Sequence, residues 1–178
     1  MSMDFSDIYK INKDDKVFID TNILIFLFSP DFVSSEEYQV DKYSNLYGKL
    51  IEKKCELYIN SHVVSEFINL CLRIDFNKNF QNKEKTKDFK KDYRGTPQYN
   101  DTLSMILKQL NKFMKLNVSQ IDDNFSHFDI NSEYKKNNNS DFNDLIIARN
   151  VIDNKLKLLS DDSDFSDYSE INTNWYLE

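Results

Sequence analysis

Five carboxylates of this chain stand where a carboxylate is able to do chemistry. Asp20 ends the apolar run Val17-Phe18-Ile19, and Asp162 and Asp164 follow the run from Leu156 to Leu159. Glu66 falls in the second helical turn after Leu57-Tyr58-Ile59, and Asp144 one turn into an apolar stretch whose start is marked by Ser140 as an N-cap. Carboxylates gathered in one crevice repel one another and raise each other's pKa unless a cation sits among them. Oxygen ligands without His or Cys select Mg²⁺ or Mn²⁺. Such ions generate a hydroxide nucleophile and stabilise charge on a phosphodiester, so these residues point to metal-assisted hydrolysis of a nucleic acid.

The elements that must position them are legible as runs and spacings. Val17 to Ile19, Leu57 to Ile59 and Leu156 to Leu159 are short apolar runs, each followed by Asp, Asn or Ser, and read as buried strands. Between them, Leu46/Leu50, Val63/Val64/Phe67/Ile68/Cys71, Leu103/Ile106/Leu107/Leu110 and Leu145/Ala148/Ile152 have helical spacing. Alternation of the two predicts an α/β domain with a central parallel sheet, and Asn172 to Tyr176 reads as a last strand. In such a sheet ligands bind outside the carboxyl ends of the strands, which is where the acids fall.

The 178 residues make one domain. A chain of this size buries about 70% of its unfolded surface and needs no staple. Cys55 and Cys71, with no closely spaced Cys/His pair, exclude a disulfide framework and a zinc site and fit a reducing interior. Gly48 and Gly95 are too few for a glycine-rich phosphate loop. Thirty acidic against 23 basic residues, a net charge of −7, argue against a broad nucleic-acid-binding surface while leaving room for a local basic patch. An acidic amino terminus and no apolar run near the roughly 18 residues that span a bilayer predict a cytoplasmic protein with no membrane partner.

The order of four segments also carries a resemblance. Val17-Phe18-Ile19-Asp20-Thr21-Asn22, Ser65-Glu66-Phe67, Asn143-Asp144-Leu145-Ile146-Ile147-Ala148 and Leu159-Ser160-Asp161-Asp162-Ser163-Asp164-Phe165 resemble the successive signatures of the PIN-domain ribonucleases, and among them the VapC-type toxins of toxin–antitoxin pairs. The resemblance implies a three-layer α/β fold with a central parallel sheet flanked by helices. It implies a Mg²⁺- or Mn²⁺-dependent endoribonuclease leaving 5′-phosphate and 3′-hydroxyl ends, an antitoxin partner and a homodimer. Onto matching positions it carries Asp20, Glu66, Asp144 and Asp162 as the metal-binding and catalytic quartet, Asp164 as an accessory metal ligand, and Asn22 and Ser160 as supports. Ser160 stands where the family usually has Thr. Residues 1–15 form an amino-terminal extension and residues 75–100 a helical insertion.

Each feature also has a bland reading. Asp-Thr-Asn after a strand is often a turn or helix cap. Glu66, beside Asn69 and Arg73 on the helical wheel, sits at the edge of an apolar face of Val63, Phe67, Leu70 and Ile74, where an ordinary exposed Glu also fits. Asp144 lies against Leu145 to Ala148, where charges seldom go unless paired or metal-bound, whereas Asp141 reads as a complement to the helix dipole. Lys83, Lys87, Lys90, Lys91 and Arg94 fall at helical spacing, but Glu84, Asp88 and Asp92 beside them suggest an exposed ion-paired helix rather than an RNA clamp. His62, His127 and both cysteines read as structural. Two other functions compete: a PIN-like RNA- or protein-binding module whose metal site has decayed, and an aspartyl-phosphate phosphatase. The phosphatase reading is weakened by Asn22, where that chemistry wants Asp, and the module reading by the presence of all four acids.

Overall fold

The computed structural model describes residues 11–30, 37–80, 87–136 and 140–171. Strand β1 (Lys16–Ile19) leads into α1 (Thr21–Phe28) and α2 (Glu37–Glu52), then β2 (Glu56–Ile59) and α3 (Ser61–Asp75). Single turns of π-helix at Phe76–Phe80 and Phe89–Tyr93 precede α4 (Pro97–Met114) and β3 (Val118–Gln120). A 3-10 turn, α5 (Ile130–Lys136), α6 (Phe142–Asp153), β4 (Lys157–Leu159) and a 3-10 turn at Ser163–Asp167 complete the order.

The four strands form one sheet in the order β3-β2-β1-β4, every pairing parallel. Helices flank it, as the α/β reading expects. Val17, Phe18 and Ile19 of β1 are at most 1% exposed, as a strand covered on both faces requires. Each contributes roughly 1.5–3 kcal/mol through burial of its side chain. The chain winds from β1 outward through β2 to β3 and then crosses back to place β4 on the other side of β1. The order of strands therefore reverses between β1 and β4, and the crevice at their carboxyl ends is where an open sheet binds ligands.

Local chemistry sets the element ends. Asp20 caps α1, and Ser29, extended ahead of Pro30, ends it. Asn60 caps α3, its Oδ1 accepting from the Val63 N–H at 3.1 Å. Gly95, at φ +82°, turns the chain into Thr96 and Pro97, the cap and first residue of α4. Asp141, not Ser140, caps α6: its Oδ1 accepts from the Asp144 N–H at 2.9 Å, and Ser140 is buried one residue earlier.

Other expectations shift as well. Strand β3 carries one apolar residue and belongs to the sheet through its backbone pairing with β2. Of residues 75–100, Asp75 ends α3 and Pro97–Asn100 open α4. Between them the structure describes two π-helical turns, Phe76–Phe80 and Phe89–Tyr93, and Lys83 and Glu84 lie outside the described residues. Leu70 and Leu107 are each 40% exposed, so the buried face of α3 runs through Val63, Phe67, Cys71 and Leu72. The expected strand at Asn172 to Tyr176 and the first ten residues lie outside the described residues.

Candidate active site

Asp20, the residue after β1, is both a helix cap and a buried acid, only 6% exposed. Its Oδ1 accepts from the Thr21 N–H at 2.7 Å and its Oδ2 from the Ser160 hydroxyl at 2.6 Å. Burial pushes its pKa up from 3.8 to about 6; those two hydrogen bonds pull the other way, and the charges of Glu66 and Asp162 add to the rise. The two strand ends are stitched together by the Asp20 N–H, which donates to the Leu159 carbonyl at 3.0 Å.

Ser160, the residue after β4, is buried at the centre of this junction. Besides donating to Asp20, its Oγ accepts from the Asp162 N–H at 3.0 Å and from Asn22 Nδ2 at 3.3 Å. Asn22 Oδ1 accepts in turn from the Asp161 N–H at 3.2 Å. Asn22 thus clamps the loop that carries Asp162. On its outer side Tyr43 donates its hydroxyl to Asp161 Oδ1, and Lys42 lies 3.7 Å from the same oxygen.

Glu66, exposed on α3, is tied to the site by Thr21, whose hydroxyl donates to Glu66 Oε2 at 2.9 Å. Asp144, in the first turn of α6, is half-buried. Burial first, then the charges of Asp141, Asp162 and Asp20, push its pKa up to about 7. Asp141 therefore both caps the helix and adds to the negative field. The registration of α3 against α6 comes from a buried amide pair, Asn60 Nδ2 donating to Asn150 Oδ1 at 3.0 Å.

The structure thus brings Asp20, Asp144 and Asp162 into one field, with Glu66 acting on Asp20. Asp164 lies on the same loop as Asp162: its carboxylate is exposed, and its N–H donates to Asp162 Oδ1 at 2.9 Å, holding that side chain in place. Among the described residues no three His, Cys, Asp or Glu side chains are gathered as a ready-made metal cage. The donor set is hard oxygen throughout, and mutual repulsion among its acids is the electrostatic demand a cation meets. Thr21, Tyr43 and the Asn60–Asn150 pair are absent from the sequence reading. Thr21 had a signal in its place inside Asp-Thr-Asn, and Asn60 in its place directly after the run Leu57 to Ile59.

No curated protein matches this chain. Among solved structures it is similar to a chain in the crystal structure of VapBC2 from Rickettsia felis bound to a DNA fragment from their promoter. The TM-score is 0.54 at 17% identity, over 92% of this chain and 97% of that one. At that identity the likeness is one of fold. The model of the PIN domain matches residues 17–171, from the first buried residue of β1 to Ile171 at the far end of the core. Members of that family are generally nucleases. A parallel sheet with carboxylates crowded at the junction of β1 and β4, and a family match across nearly the whole core, place this chain in the PIN domain family.

Proposed function

We propose that this chain is a Mg²⁺- or Mn²⁺-dependent endoribonuclease of the cytoplasm and the toxin of a toxin–antitoxin pair. The observation that carries this reading is the mutual repulsion of Asp20, Asp144 and Asp162, with Glu66 beside them, where the strand order reverses. A divalent cation bound there supplies a Lewis acid that activates water and stabilises the charge growing on a phosphodiester. Asp20, Glu66, Asp144 and Asp162 would hold that cation, with Asp164 as an accessory ligand. Thr21 and Ser160 fix the two oxygens of Asp20, Asn22 holds the loop of Asp162, and Asp164 orients Asp162 through its backbone. The partners in this reading are an RNA substrate, an antitoxin and a second copy of the chain. The likeness in fold to a VapBC2 complex supports the antitoxin.

The test is Mn²⁺ binding by isothermal titration for the wild type and Asp144→Asn, followed by cleavage of total RNA with the same samples. Binding and cleavage in the wild type that both vanish in the variant support the reading. A wild type that binds no Mn²⁺ overturns it in favour of an interaction module.

A further inference from the structure

A groove of about 410 Å³ adjoins the acidic centre and shares Glu66 as a wall. It runs between α3 and the second π turn, and its far wall is cationic: Arg73 comes from α3, and Lys90 and Arg94 from the segment around Phe89–Tyr93. Asn143, which contacts His62 at 3.0 Å and adjoins Asp144 in sequence, closes the end nearest α6.

The three cations are exposed, and among the described residues no carboxylate lies within 4.0 Å of their charged ends. The Lys91 backbone N–H above all, and also the charges of Lys91 and Lys90, hold the Asp88 carboxyl below its ordinary value, so Lys90 shares part of its field with that acid. Asp88 Oδ1 accepts from the backbone N–H groups of Lys90 and Lys91 at 2.9 and 2.8 Å, and Asp92 Oδ2 from the Asp88 N–H at 2.7 Å. Arg73 lies over Phe89, with its guanidinium 5.0 Å from the ring centroid, a contact that limits the side-chain freedom lost on binding. Phe89 is itself packed edge-on against buried Phe76. In a chain of net charge −7, three exposed cations that among the described residues lie in no salt bridge, grouped beside an acidic centre, favour a polyanion.

We propose that this groove is a phosphate subsite for the RNA strand, in which Arg73, Lys90 and Arg94 hold a backbone phosphate neighbouring the one presented to the acidic centre. The inference rests on the ribonuclease reading and assigns part of the 75–100 segment to substrate binding.

The test compares the wild type with the Lys90→Gln/Arg94→Gln double variant. Binding of a short labelled single-stranded RNA is measured across a salt series without divalent cation, and RNA cleavage is measured with Mn²⁺. The variant is expected to bind about tenfold more weakly, with a slope of log K against log salt shallower by about 1.4, the effect of two lost phosphate contacts on a single strand. Its KM for RNA should rise with kcat little changed, and its Mn²⁺ titration should match the wild type. Unchanged affinity, slope and KM in an actively cleaving protein would overturn the subsite and leave the nuclease standing. Loss of RNA binding in the variant, when neither protein cleaves, would support the subsite and remove the nuclease. A polyglutamate peptide displacing RNA from the wild type as readily as unlabelled RNA would overturn the assignment to nucleic acid.

Discussion

Tyr93 donates its hydroxyl proton to Asp75 Oδ2 at 2.5 Å, and through that bond the second π turn is fastened to the end of α3. Asp75 is 4% exposed and receives three further donors: Thr102 and Gln98 on the same oxygen at 3.0 and 3.2 Å, and Asn79 on Oδ1 at 2.7 Å. The latch draws α3, both π turns and α4 around one carboxylate, and the second π turn carries Phe89 and Lys90 to the groove beside Glu66.

Burial alone would raise the pKa of Asp75, but its four donors outweigh burial and hold it below 3.8. A depressed carboxylate contributes stability that is fully present above its unfolded value and lost as pH falls through its folded one. Tyr93→Phe should therefore cost about 1.5–3 kcal/mol at neutral pH, with the difference from wild type narrowing below pH 3.8. Urea unfolding of both proteins at pH 7 and under acid conditions measures this. An equal difference at both would remove the carboxylate from the explanation.

The acidic centre has the opposite sign. Asp20 and Asp144 are raised from 3.8 to about 6 and about 7, so between about pH 4 and 7 the folded chain holds more protons than the unfolded one. Stability of the metal-free protein then falls as pH rises across that window. For Asp144 the rise corresponds to roughly 4 kcal/mol, reduced to about 1–2 kcal/mol by its solvent exposure. Asp144→Asn should be more stable than the wild type by that amount at pH 7.5 and no different at pH 4. Mg²⁺ should stabilise the wild type at pH 7.5 more than at pH 5. Thermal unfolding of both proteins with and without Mg²⁺ reads all of this.

What could be read from the sequence was what is local. Val17-Phe18-Ile19 and Leu57-Tyr58-Ile59 announce strands because burial on both faces demands unbroken apolar runs. Val118-Ser119-Gln120 does not, since an edge strand needs only backbone pairing, and two of its side chains are exposed. The acids were legible because each sits just beyond a strand or early in the next helix. Of their supports, Asn22 and Ser160 lie inside the same segments, but the long-range pairs were not legible: Asn60 meets Asn150 across 90 residues and Tyr43 meets Asp161 across 118, and no short-range spacing signals such a pair. Around Lys90 the helical spacing gave no sign that Asp88 Oδ1 and Asp92 Oδ2 accept from local backbone N–H groups, while Lys83 and Glu84 of the same pattern lie outside the described residues.

Ser160 joins the two strand ends through one hydroxyl, which donates to Asp20 and accepts from the Asp162 N–H. Ser160→Ala removes a bond that favours the ionised form of Asp20 and leaves that carboxylate more strongly raised. Cleavage of RNA should fall about 10- to 100-fold, the usual effect of losing a group that orients a ligand, and the acid limb of its pH profile should move to higher pH. Ser160→Thr keeps the hydroxyl at the cost of one methyl group in a buried position, and should retain the wild-type limb. Matching profiles for the Ala and Thr variants would show that the hydroxyl does not act through Asp20.

Asn150 is fully buried and bridges two elements, accepting from Asn60 Nδ2 and donating through its own Nδ2 to the Asp123 carbonyl at 3.2 Å. Asn150→Ala leaves a buried donor and a carbonyl without partners, at a cost of about 2–4 kcal/mol. Asn60 is also the cap of α3, so loss of its partner loosens the start of the helix that bears Glu66, while α6 keeps its own cap at Asp141. A structural role alone predicts lost stability with Mn²⁺ affinity intact in the folded fraction. Registration of Glu66 against Asp144 predicts that both fall, and that Asn60→Ala and Asn150→Ala are strongly non-additive in a double-mutant cycle on Mn²⁺ affinity. Additive effects on affinity would mean that the amide pair holds the fold and leaves the placing of the acids to the strand ends.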